Sequence, residues 1–279
     1  MKTFEGFTFD FTECRRQFED LRAWLAGKSD LSERDDVLPF FQPRRHLAAL
    51  FAGFHAGIAS ADRFAPEFDI FGDFACDLAI GDWERGAYCF VEFEDAHKGS
   101  VFEQQAKKAT REWGRRFDHG CSQIIDWIHQ FATRPPIDMV KRFGRAEITY
   151  ETVLAIRRDA HLKGGERERL FWRNENLAVN TRRIHCVTFD ELAGRFAAQI
   201  RWLEGGDRVR RPPRSAASPR EAVGRGPHAR GSPAACWRMR PTIAARPFRL
   251  FRLRCWSRPS SRKKPSTSNA RMSFASCPE

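Results

Sequence analysis

The chain has 279 residues, 42% hydrophobic and 30% charged, with a formal net charge of +12. That length allows one or two domains and a sizeable core. There is no apolar run of about 18 residues and no charged-then-apolar leader pattern at the start, so neither a membrane span nor secretion is expected. The eight cysteines are scattered without a Cys-x-x-Cys pair. This argues against a disulfide framework or structural zinc and for a reducing cytoplasm. The charge is uneven. Residues 205–279 carry 18 Lys and Arg against 3 Asp and Glu, whereas the first 204 carry 30 against 33. The body is therefore slightly acidic and does not, by composition, advertise nucleic-acid binding.

Taken in chain order, Phe18, Leu21, Trp24 and Leu25 recur at helical spacing and predict an amphipathic helix over 13–26. Pro39 and Pro43 then break the chain, which sets an N-terminal helical segment (1–40) ahead of a domain over 41–203. Leu47, Leu50, Phe51 and Phe54 predict a second helix over 46–58, weakened by Gly53 and Gly57. Strands are expected at 67–71 and 74–80, joined by the two-residue turn Gly72-Asp73, and at 87–94. Helices follow over 101–112 and 121–131, the second with Ile124, Trp127, Ile128 and Phe131 inward and Pro135-Pro136 at its end. A fourth strand spans 147–157 and a fifth 184–187. Thr188 with Glu191 three residues later is a capping box opening a last helix. This order gives an α/β domain with a mixed sheet flanked by helices. Beyond Leu203 the chain holds 10 of its 15 prolines and 16 arginines without apolar periodicity. Such a segment cannot offset its ordering entropy by burial, so 204–279 reads as a disordered basic Arg/Pro-rich tail. Two readings stay open for it: an arm that grips phosphate electrostatically, or a stretch of a GC-rich gene read out of frame.

The chemistry concentrates between Asp77 and Glu94. If Asp77 pairs with Glu92, then Asp77, Phe90, Glu92 and Glu94 share one face. Cys76, Leu78, Ile80, Cys89, Val91 and Phe93 share the other, entirely apolar one. Like charges opposed across a ladder repel, which implies an offsetting group. Hard oxygen donors suit magnesium or manganese. Glu67, in a strict two-residue hairpin, pairs with Leu78 and faces away from Asp77; a bulge is needed to bring it in. Gln123, Asp126 and Gln130 form a polar strip on one helix face. Arg111, Arg115 and Arg116 with Trp113 make a basic, aromatic cluster suited to phosphate. Lys98 is a further cation four residues after Glu94. His119 reads as a cap or turn residue and Trp172 as a packed one.

An Asp on one strand and Glu-x-(acceptor or Lys) on the next resembles the PD-(D/E)XK nuclease core. The wider set comprises Glu67 to Asp77, Phe90-Val91-Glu92-Phe93-Glu94-Asp95, Trp113-Gly114-Arg115-Arg116-Phe117, His119-Gly120 and Ser122 to Trp127. It looks like the Shedu-type nuclease-like domain of bacterial anti-phage defence, over roughly residues 40–203. The superfamily pattern ends in Lys where Glu94 stands here, although some restriction endonucleases of the superfamily also carry Glu-x-Glu. The resemblance implies metal-dependent hydrolysis of phosphodiesters. Asp77 and Glu92 would hold one or two magnesium or manganese ions, with Glu94 ligating or orienting the attacking water. Gln123 would face the acidic site and Glu67 would join it. Lys98, Arg111, Arg115 and Arg116 would hold the nucleic-acid backbone. The alternative is a catalytically silent nuclease fold that senses nucleic acid or protein. The expected partners are nucleic acid, DNA foremost, and further copies of the chain, with no membrane.

Overall fold

The computed structural model describes residues 3–105 and 108–210; the remainder of the predicted tail, 211–279, lies outside the described residues. In chain order the elements are β1 (Glu5–Gly6), α1 (Phe11–Gly27), a π turn (Glu33–Val37), α2 (Leu38–Phe41), and α3 (Arg45–Ala48) running into a 3-10 turn (Ala49–Phe54). Next come β2 (Arg63–Ile70), β3 (Phe74–Asp82), β4 (Ala87–Phe93), and a small ribbon of β5 (Phe102–Glu103) and β6 (Glu112–Trp113). They are followed by α4 (Arg115–Thr133), α5 (Pro136–Phe143), β7 (Thr149–Ala155) and a 3-10 turn (Asp159–His161). The last are α6 (Gly164–Asn176), β8 (Ala178–Val179), β9 (Arg182–Val187) and α7 (Phe189–Arg210). Seven strands form one mixed sheet in the order β1-β2-β3-β4-β7-β9-β8. It is antiparallel from β1 to β4, and β7 and β9 then run parallel to β4.

Helices cover both faces of this sheet. On one side α1, the α2–α3 turns and α7 pack on Leu78, Ile80, Cys89, Val91 and Phe93. On the other, α4, α5 and α6 pack on Ala79, Tyr88, Phe90 and Leu154. Every residue of β4 is buried, as expected for a central strand with helices on both faces. The face that carries the carboxylates is therefore a second apolar core over most of its length, and becomes acidic only at the end of β4. The inward stripe Ile124, Trp127, Ile128 and Phe131 on α4 is buried as its spacing predicts. The capping box forms too: Glu191 N–H donates to Thr188 Oγ1 at 3.0 Å and Thr188 N–H to Glu191 at 3.1 Å.

Several sequence expectations are corrected. The helix over 101–112 is instead the β5–β6 ribbon. The Phe102 and Trp113 rings stack 4.6 Å apart, and Arg111 ties the loop by donating to the Lys98 and Phe102 carbonyls. These contacts outweigh local helix propensity. The helix over 46–58 shrinks to one α turn and a 3-10 turn. There a Cβ on Gly53 would collide with the Gln199 side chain of α7, so glycine permits that close approach. The β2–β3 loop has three residues, not two, because Ile70 pairs with Phe74. Phe71 and Gly72 take φ values of 57° and 89°. The N-terminal helix is not a separate layer: Cys14, Phe18, Leu21 and Leu25 belong to the same core as β3, β4 and α7. The last helix continues past Leu203 to Arg210. Trp172, expected to pack, is 67% exposed on α6.

Strand alternation breaks once, beside the carboxylates. Ala65 and Phe68, three residues apart on β2, reach the same core, as do Cys76 and Ala79 on β3. Regular pleating would put each pair on opposite faces. The flips fall at Glu67, whose φ is 47°, and at Asp77, which stand across from each other between the pairs Pro66–Leu78 and Phe68–Cys76. Cys76 consequently joins the α4 side rather than the Leu78 face.

Arg111 and Arg157 make a contrast that can be measured. Arg111 forms a buried bidentate pair with Glu166. Arg157 is fully buried at φ 70°. It gives one bond to the His161 carbonyl, while its Nε and Nη1 meet no hydrogen-bond partner among the described residues. Breaking a buried pair costs about 3–5 kcal/mol, whereas replacing a surplus buried charge by an apolar group of similar size is often neutral or stabilising. Arg111→Met is expected to lower unfolding free energy by about that amount, and Arg157→Met to hold or raise it. Urea titrations of both variants check this; equal losses would contradict it.

Candidate active site

Leu78 pairs with Val91 in the β3–β4 ladder, so the next residues in register are Asp77 and Glu92. The ladder stops there. The N–H of Phe93, left without a partner on β3, donates to Asp77 Oδ2 at 2.7 Å. The alternation break thus turns the Asp77 carboxylate along the sheet to close the end of the ladder. Glu92 is 5% exposed and accepts a hydrogen bond from the Gln123 amide of α4. Glu94 is fully buried. Its Oε1 lies 2.7 Å from His119 Nδ1 and its Oε2 3.5 Å from Arg116.

A fourth carboxylate arrives from the N-terminal region. Leu31 and Ala96 exchange backbone hydrogen bonds, which draws the π turn to the end of β4. The Glu33 N–H donates to Asp95 at 2.7 Å, and its carboxylate stands 3.7 Å from Arg116. Arg116 also pairs with Asp95 at 3.0 Å, so one half-exposed guanidinium serves three acids. Sequence reading passes over Glu33 because nothing local links an acidic turn to strands more than forty residues onward. His119, read as a cap or turn residue, proves to be a partner of Glu94.

The electrostatics follow from burial and crowding. Burial raises the Asp77 pKa to about 7 against the Phe93 hydrogen bond, with Glu33 and Glu94 adding repulsion. Burial, then Asp77, Glu94 and Glu33, holds Glu92 well above the usual carboxylate range. Burial also raises Glu94, partly offset by His119 and Arg116. Glu33 is raised by burial and by Asp95. Such shifts are common where carboxylates share a site.

The remaining expected site residues are dispersed. Glu67 lies opposite Asp77 in register and is exposed. Arg111, expected at a phosphate, is corrected: it is 7% exposed and its guanidinium is taken up by Glu166 and by the carbonyls of Lys98, Phe102 and His161. Lys98 and Arg115 are exposed on the loop after β4 and at the start of α4. Gly120 lets α4 cross close above the site, since a Cβ there would stand 2.6 Å from Leu154 and 3.1 Å from Glu94.

Among the described residues no group of three or more His, Cys, Asp and Glu side chains converges to hold a metal ion. Glu94 is committed to His119 and Arg116. Asp77 and Glu92 remain as a pair of hard oxygen donors. Magnesium is commonly bound by one or two carboxylates with water and substrate oxygens rather than by an all-protein cage, so this donor chemistry fits it.

Fold and site define a mixed α/β domain with a carboxylate cluster where its central strand ends. A family model described as Shedu protein SduA, C-terminal, matches residues 30–193. That is more than half of the chain and takes in Glu33, Asp77, Glu92, Glu94, His119 and Gln123. The chain belongs to that family. No curated protein matches it. No helix among the described residues is long and apolar enough to cross a membrane.

The Asp77 shift has a testable sign. A carboxyl group whose pKa is higher folded than unfolded binds its proton more tightly in the native state. Its contribution to stability is present at low pH and is lost as pH rises from near the ordinary value of 3.8 through about 7. In EDTA the melting temperature should fall between about pH 4 and 7, and Asp77→Asn should flatten part of that fall. Thermal scans across this range decide it; parallel curves for the two proteins would contradict the assignment.

Proposed function

We propose that the chain is a metal-dependent, nuclease-type hydrolase of the PD-(D/E)XK kind, cleaving nucleic-acid phosphodiesters, DNA foremost, in anti-phage defence. Membership of the SduA C-terminal family supports the defence role. The observation that carries the chemistry is the Asp77–Glu92 pair, a half-buried and a buried carboxylate opposite each other in register whose ionised forms repel. Two like charges gathered inside a protein cost folding free energy unless a cation offsets them.

In this reading Asp77 and Glu92 would hold magnesium or manganese, which when bound supplies an activated water and charge stabilisation at phosphorus. The protein's own groups fix the ligands. The Phe93 N–H orients Asp77, and the Gln123 amide orients Glu92. Arg116, half-exposed at the rim, and exposed Arg115 and Lys98 would position the phosphate backbone. A second reading, a nuclease fold that binds without cutting, is favoured by one observation: Glu94 is tied to His119 and Arg116 and is not a free third ligand.

Plasmid cleavage separates the two. With magnesium or manganese the wild type should cut. Asp77→Asn and Glu92→Gln should lose activity by orders of magnitude while keeping their fold, because the metal they would hold supplies both water activation and charge stabilisation. Calorimetry should show weaker magnesium binding for Glu92→Gln. Tight DNA binding without cleavage under either metal would favour the silent module, and equal cleavage by wild type and Asp77→Asn would place the activity elsewhere.

A further inference from the structure

Glu94 is fully buried, yet the side chain of its partner His119 is 59% exposed. The contact runs through Nδ1, 2.7 Å from Glu94 Oε1. When Glu94 is ionised it can only accept, which sets the proton on Nδ1 and leaves Nε2 of a neutral ring to accept on the far side. The Gln123 amide also lies 3.4 Å from Nδ1, but that is too long to compete, and the amide is already given to Glu92. His119 and Gln123 stand one helical turn apart on α4, so their side chains share a face. The imidazole is thereby set beside the group that holds Glu92. Arg116 touches the other Glu94 oxygen at 3.5 Å, which holds the carboxylate without taking it from the ring. A buried acid on Nδ1 and an Nε2 that meets no partner among the described residues make an oriented proton acceptor.

We propose that His119 is a catalytic residue whose Nε2 takes the proton of the water attacking a phosphodiester at Asp77 and Glu92, with Glu94 the positioning residue that fixes the ring. This role rests on the hydrolytic reading of the site. In the step, the water oxygen forms a new bond to phosphorus as its proton passes to Nε2. One bridging P–O bond breaks, and its electron pair leaves with the sugar oxygen. That oxygen takes a proton from solvent water, and His119 returns its proton to the hydroxide so formed. The products are an alcohol and a phosphomonoester, with no change of oxidation state.

The test uses the full chain and supercoiled plasmid with magnesium or manganese, comparing wild type, His119→Ala, His119→Gln, His119→Gly, Glu94→Gln and Asp77→Asn. His119→Gln keeps a donor for Glu94 and should hold the wild-type melting temperature, whereas His119→Ala leaves buried Glu94 to Arg116 and is assayed well below its own melting temperature. Both variants are expected to lower kcat about 10²- to 10⁴-fold, the usual range for general acid–base catalysis, with KM for DNA little changed. Glu94→Gln should lose less, and added imidazole should restore part of the activity of His119→Gly. Wild-type rates in His119→Ala alongside an inactive Asp77→Asn would overturn the role of His119 and leave the hydrolytic reading standing. Loss in His119→Ala through KM alone, without rescue of His119→Gly by imidazole, would also overturn it. A wild type that cuts with neither metal would remove the hydrolytic reading and this inference together.

Discussion

The repulsion among carboxylates at the end of β4 is the constraint around which the surrounding elements are arranged. Asp77, Glu92 and Glu94 are drawn from water into one site, and Glu33 approaches from outside. Each is met by a donor: Asp77 by the Phe93 N–H of β4, and the others by three side chains of one helix, Gln123, His119 and Arg116 of α4. A group so placed stabilises the cluster only while its own element stays docked. The position of α4 over the sheet and of the π turn beside it is therefore coupled to the protonation of these carboxylates. The close approach at Gly120 is part of the same coupling.

Two apolar cores offset the cost of that arrangement. β4 is buried along its whole length, with Val91 and Phe93 on one side and Tyr88 and Phe90 on the other. Burial of such side chains contributes roughly 1.5–3 kcal/mol each, enough for the sheet to tolerate an unfavourable acidic end. The break of alternation at Glu67 and Asp77 is local, and pairing resumes on both sides of it. Its consequence is chemical: Asp77 points along the sheet and ends the ladder instead of projecting from either face.

Basic side chains near the site divide by burial. Arg111 and Arg157 lie inside, around Glu166 and the turn at His161. Arg169 and Arg173 lie over Phe102, Trp113 and Phe117, with guanidinium carbons 4.5–5.3 Å from the ring centres. These arginines knit the β5–β6 ribbon to α4 and α6. Arg115, Arg116 and Lys98 stand at the surface, and of these Arg116 pairs with Glu33, Glu94 and Asp95.

The sequence by itself determined what short-range periodicity encodes. The stripe of Ile124, Trp127, Ile128 and Phe131, the capping box at Thr188, the three long strands and the adjacency of Asp77 and Glu92 all follow from spacings of two to four residues, or from a single hairpin. The carboxylates were readable for the same reason, since charged residues inside an apolar strand stand out locally. Tertiary structure decided the rest. It unmade the helix over 101–112, because Arg111 and the Phe102–Trp113 stack hold that loop through partners a local window does not contain. It moved Arg111 from surface to interior, brought Glu33 to Arg116 across the fold, and paired Glu94 with His119 through a helix seated on the second core. Hydrophobic pattern fixes which side of an element turns inward; which charged groups then meet depends on how separate elements dock, and no local spacing carries that.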